Sequence, residues 1–165
     1  MRKLLSIVVG GALLAVMPFA VAAQTMDHQL LATDEIKWGA GPPSIPAGAK
    51  AAVLYGDPAK EGMFVFRLQT PKDYTIAPHT HPKPELVTVV SGSVRLGMGT
   101  TANREAAKVL PAGSFFALSP GMAHYFISDE DSVIQLQSTG PWSIDYVNAA
   151  DDPRKTVGTG ATPKN

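Results

Sequence analysis

Between Ala51 and Val147, short runs of β-forming residues alternate with turns marked by glycine, proline and acidic residues. No stretch there repeats its apolar residues with a helical period. The expected strands are Ala51–Tyr55, Met63–Gln69, Tyr74–Ala77, Leu86–Ser91, Ser93–Met98, Lys108–Leu110, Phe115–Leu118, Ala123–Ile127, Val133–Gln137 and Ser143–Val147. The punctuation between them is Gly56-Asp57-Pro58, Pro71-Lys72-Asp73, Gly92, Pro111-Ala112-Gly113, Pro120-Gly121 and Asp129-Glu130-Asp131. A chain of many short strands must bury one face of each, so it folds as an all-β sandwich or barrel. Gly92 reads as a tight hairpin turn between its two flanking strands.

The flanks read differently. Arg2 and Lys3 precede an apolar run from Leu4 to Val21 that closes on Ala20-Val21-Ala22-Ala23. A positive start, an apolar middle and a small-residue end are the parts of a secretory signal peptide, here residues 1–23. Residues 24–50 form an arm that contains Gly41-Pro42-Pro43-Ser44-Ile45-Pro46. Proline fixes φ and removes donors, so this arm is neither helix nor central strand. Trp38 is its candidate anchor on the core. Residues 148–165 are polar and read as a flexible tail.

Removal of the leader takes Arg2 and Lys3 with it, and the remaining chain carries a net charge of about −2. That balance gives no electrostatic basis for nucleic-acid binding. No second long apolar run follows the leader, so no stable membrane insertion of the mature chain is expected, and it is read as exported, periplasmic or secreted. The chain has no cysteine. An exported protein without cysteine has no disulfide, and any metal site must come from histidine and carboxylate.

The chain has four histidines. His79 and His81 are two apart, so on an extended strand they face the same side. Glu85 follows Pro82-Lys83-Pro84, and a proline-bent turn can return its carboxylate to that side. His124 stands far along the chain, after Pro120-Gly121, and is expected to approach from the facing sheet. His28, on the arm, is expected to be exposed and uninvolved. Phe64, Phe66, Val87, Val89, Phe115 and Phe116 read as core. Tyr125 falls on the opposite face from His124 by alternation. Gln135 and Gln137 share one face of a strand, turned either towards the cavity or towards solvent.

These residues resemble the cupin superfamily. Its first motif reads His-x-His, three or four residues, Glu, six residues, Gly. The chain gives His79-Thr80-His81-Pro82-Lys83-Pro84-Glu85 and then Gly92. The second motif reads Gly, five residues, Pro-x-Gly, two residues, His, three residues, Asn. The chain runs from Gly113 through Ser119-Pro120-Gly121 to His124 and Ser128. Three turn positions depart from the pattern: Asp73 stands for a leading Gly, Ser119 for Pro, and Ser128 for Asn. The resemblance implies a single-domain jelly-roll β-barrel over residues 51–147. It also implies one divalent metal ion (Fe, Mn, Ni or Zn) held by His79, His81, Glu85 and His124, and a homodimer paired through edge strands and arms.

Four protein ligands on a six-coordinate ion leave two positions for a small-molecule substrate, water or dioxygen. The expected function is a metal-dependent enzyme of oxygenase, isomerase or lyase type. The alternative is a non-catalytic ligand-binding or sensing barrel. The chain is also similar to the cupin domain of metal-binding anti-sigma factors, but export does not suit that cytoplasmic role. The N-terminal reading has a direct check. Sequencing of the exported protein should give a first residue close to Gln24, whereas an intact Met1 on detergent-extracted protein would mean a retained anchor.

Overall fold

The computed structural model describes residues 28–156. The expected signal peptide lies outside the described residues. Among them, the strands are β1 Gly39–Ala40, β2 Lys50–Tyr55, β3 Gly62–Thr70, β4 Thr75–Thr80, β5 Glu85–Ser91, β6 Ser93–Met98, β7 Lys108–Pro111, β8 Phe115–Leu118, β9 His124–Ser128, β10 Ser132–Gly140 and β11 Asp145–Tyr146. The larger sheet runs β1-β2-β3-β10-β5-β8 and the smaller runs β11-β4-β9-β6-β7, with all pairs antiparallel. From β3 onward, consecutive strands lie in opposite sheets except for the β6–β7 hairpin. This is a jelly roll. The two sheets face each other without closing into one hydrogen-bonded cylinder.

The two inner faces supply one core. Phe64, Leu68, Val87, Val89, Ile134 and Leu136 come from the larger sheet, and Ile76, Val94, Leu110 and Phe126 from the smaller. Their alternation along each strand follows from the two-residue period of extended backbone. Phe64 and Val87 have no exposed surface, and burying each such side chain contributes about 1.5–3 kcal/mol. Phe115 is a correction: it points outwards and is 58% exposed, while Phe116 faces the interior. Gln135 and Gln137 alternate with Ile134 and Leu136, so they take the outer face, where Gln135 Oε1 accepts a bond from Arg67 Nε at 3.0 Å.

In the arm, Trp38 is half-buried. Ile45 and Ala49 enter the core. The Tyr146 hydroxyl donates to the Ser44 carbonyl at 2.9 Å, and the Tyr74 hydroxyl donates to that of Pro46. The tail is ordered further than its polar composition suggests. It carries 3-10 turns at Ala149–Asp151 and a short helix α1, Pro153–Thr156. Arg154 ties this segment back, donating to the Ile144 carbonyl at 3.0 Å and pairing with Asp152 at 2.7 Å.

Gly92 is not a hairpin turn. Its neighbours β5 and β6 lie in different sheets, so it is the corner where the chain crosses between them. Its φ is +78°, and a β-carbon there would meet the Asp131 carbonyl oxygen at 2.6 Å and Ser132 Cα at 2.8 Å. Both the conformation and the space therefore require glycine. Gly92→Ala should destabilise the fold by about 1–3 kcal/mol from backbone strain alone, with the clash adding to it. A denaturant titration measures this, and an unchanged midpoint would contradict it.

Candidate metal centre

β4 carries one residue more than its partner over the site. Ile76 pairs with Phe126 and His79 with His124, so three steps on β4 match two on β9. Without this bulge, Ile76 and His79 would face opposite sides. With it, both line the interior, and His79 lies directly across from His124. His81 sits one residue past the end of β4 and turns inward too. His79 and His124 thus come from the smaller sheet, and His81 follows directly on β4. His124 does not approach from the facing sheet, as the sequence suggested; Glu85, the first residue of β5, is the one that does. The Ser138 hydroxyl donates to the Pro84 carbonyl and fixes the turn that presents Glu85.

All four side chains are buried. One ring nitrogen from each histidine lies within 4.8 Å of the other two. Each Nδ1 faces a backbone carbonyl: His79 that of Ala77 at 2.7 Å, His81 that of Ser143 at 2.7 Å, and His124 that of Met122 at 3.0 Å. A carbonyl only accepts, so each Nδ1 carries the proton and donates. In a neutral ring, Nε2 then presents a lone pair. Glu85 Oε2 stands 3.1 Å from His124 Nε2, and Oε1 stands 3.8 Å from His81 Nε2. Glu85 Oε2 is buried without a hydrogen-bond partner. A lone pair facing a carboxylate oxygen is repulsive unless a cation, a proton or a metal ion, lies between them. Three clustered histidine nitrogens, beside a carboxylate with one orphaned oxygen, fit a borderline divalent ion.

Burial, reinforced by the charge of His124, holds the His79 imidazole down to about 3. Burial also lowers His81, against the pull of Glu85. The cluster forms one wall of a cavity of about 500 Å³. The rest of its surface is mainly apolar, including Phe66, Phe116, Phe126 and Trp142. Tyr125 points away as expected, with its hydroxyl donating to the Asn103 carbonyl at 2.8 Å on the outer face. His28 is exposed and apart from the cluster.

The departures from the two motifs have local solutions. Asp73 takes the left-handed conformation with φ +61°, which Asp adopts more readily than most residues. Ser128 is fully buried and shares a 2.7 Å hydrogen bond with Thr70. The Gly121 amide donates to the His81 carbonyl at 2.9 Å, tying the second motif to the first. Sequence reasoning missed Trp142 and Ser143, which touch His81, and Arg154, which reaches the cavity from the tail. Nothing in the local sequence separates Trp142 from an ordinary core aromatic.

Two facing antiparallel sheets in this order form a cupin-type jelly roll. More narrowly, the chain belongs to a family described as a domain of unknown function, DUF4437, whose model matches residues 17–145. A segment of 56 residues is 38% identical to germin-like protein 5-1 of Oryza sativa subsp. japonica, covering 33% of this chain and 25% of that protein. The fold is similar to an acetylacetone dioxygenase from Acinetobacter johnsonii, with a TM-score of 0.62, 16% identity and coverage of 82% of this chain and 88% of that one. It is also similar to an RmlC-like cupin from Shewanella frigidimarina, with a TM-score of 0.52, 15% identity and coverage of 71% and 91%.

The depressed histidines make metal-free stability depend on pH. Unfolded, a histidine takes its proton near 6.5; folded, His79 does so only near 3. Between these values the unfolded chain binds more protons, so stability falls as pH is lowered from about 6.5 towards 3. Urea titrations of chelator-treated protein should show this decline. His79→Gln, which cannot charge, should make it shallower; an equally steep decline in the variant would refute the assignment.

Proposed function

We propose that His79, His81, Glu85 and His124 hold one divalent first-row metal ion (Fe, Mn, Ni or Zn) and that the adjoining cavity receives a small, largely apolar molecule. Turnover there would be metal-dependent and of oxygenase, isomerase or lyase type. The observation that carries the proposal is the cluster of three buried histidine nitrogens within 4.8 Å of one another, two of them facing the Glu85 carboxylate, whose Oε2 has no hydrogen-bond partner. A bound ion of this class supplies Lewis acidity and open coordination positions.

The chain's own residues do the remaining work. The carbonyls of Ala77, Met122 and Ser143 fix the tautomer and direction of the three rings. The apolar walls exclude water and strengthen electrostatic interactions at the site. One carboxylate and three neutral rings offset only half the charge of a divalent ion. A ligand with an anionic oxygen at one end of an apolar body would balance the rest.

A second reading, a non-catalytic binding barrel, has one observation in its favour. Beyond the four-residue cluster, the described cavity lining includes no further Asp, Glu, His, Lys or Tyr that could act as general acid or base. Oxygen-consumption and ligand-binding screens on metal-loaded protein separate the two readings.

Metal analysis of the purified protein should give close to one ion per chain. His81→Ala and His124→Ala should each lose most of it, and His28→Ala should keep it. A chelator should lower the melting temperature of the wild type and have little effect on His81→Ala, because the ion stabilises only the folded state. Equal metal content in His124→Ala and wild type would sink the proposal.

A further inference from the structure

The three histidines are not held equally. His79 lies within β4, paired to His124 on one side and Tyr146 on the other. His124 lies within β9, between β4 and β6. His81 lies beyond the last residue of β4, outside any strand. Its backbone is tied through the Gly121 amide, but no strand ladder sets the direction of its ring.

That direction comes from the segment after β10. The Trp142 indole stacks on the His81 ring, with centroids 4.1 Å apart and planes 20° apart. The next residue, Ser143, takes the His81 Nδ1 proton on its carbonyl at 2.7 Å. One dipeptide therefore fixes the ring face and the ring edge together. Trp142 is itself braced. Its amide donates to the Pro58 carbonyl at 2.7 Å, and its indole meets fully buried Phe64 edge-on at 5.7 Å. The geometry points to Trp142 as a positioning residue for His81: its ring face holds the imidazole so that Nε2 points at the centre of the cluster. This rests on the proposed metal site and extends it. Groups that orient a metal-binding histidine commonly change metal affinity 10–100-fold when altered. Because Trp142 also lines the cavity, whatever occupies the cavity would press on the residue that aims His81.

The test uses the full chain stripped of metal, with Zn(II) affinity read by calorimetry and site geometry by the Co(II) absorption bands. Trp142→Leu keeps apolar bulk but loses the ring face. It should weaken Zn(II) binding by roughly 10-fold or more and shift the Co(II) bands. Trp142→Phe, which restores a ring face, should recover most of the affinity and the wild-type bands. Leu110→Ala removes buried volume from the core away from the cavity. It should lower the melting temperature and leave Zn(II) affinity within about twofold. Wild-type affinity in Trp142→Leu, failure of Trp142→Phe to recover, or an equal loss in Leu110→Ala would overturn the positioning role while leaving the metal site standing. A wild type that takes up no Zn(II) or Co(II) would overturn both.

Discussion

The extra residue between Ile76 and His79 decides which side of β4 the first histidine occupies. Strand side chains alternate, so residues three apart point to opposite faces unless the backbone gains a step. Here the step lets β4 contribute Ile76 to the core and His79 to the cluster, both on the inner face. The same step makes His79 the cross-strand neighbour of His124. Glu85 then completes the cluster from the facing sheet. The site spans the gap between the sheets, so its geometry depends on the distance the shared core maintains. Phe64, Val87 and Val89 hold the larger sheet at that distance, and Val94 and Phe126 hold the smaller.

Much of this was legible because it depends on short-range rules. The two-residue period put His79 and His81 together and separated Tyr125 from His124, and β-forming runs between turns placed nearly every strand to within a few residues. What the sequence withheld depends on which sheet a strand joins. Gly92 marked a sharp change of direction, but the residues around it do not distinguish a hairpin from a corner between sheets. The same ambiguity misassigned His124: sequence separation showed that it must come back to the site, not by which sheet. Phe115 and Phe116 are chemically identical neighbours, and only the register of β8 against β5 sends one inward and one out. Trp142 and Arg154 reach the cavity through tertiary packing of irregular segments, which has no period to read.

The cluster is also where the fold departs from the rules that govern the rest of it. Elsewhere among the described residues, buried side-chain polar atoms have hydrogen-bond partners, as with Thr70 and Ser128 or Ser138 and the Pro84 carbonyl; Glu85 Oε2 is the exception. An unpartnered carboxylate oxygen in an apolar interior is costly, and the His124 and His81 lone pairs that face this carboxylate add to that cost. A single proton can relieve only one close approach at a time, such as that between His124 and Glu85. Burial keeps the His79 ring from taking a proton until the pH approaches 3. The proposed divalent cation would satisfy the three nitrogens and the carboxylate at once, with each Nδ1 already committed to a carbonyl. Under the proposed metal site, the local cost of the arrangement and its capacity for an ion have one source: polar groups left incomplete that a single ion would complete.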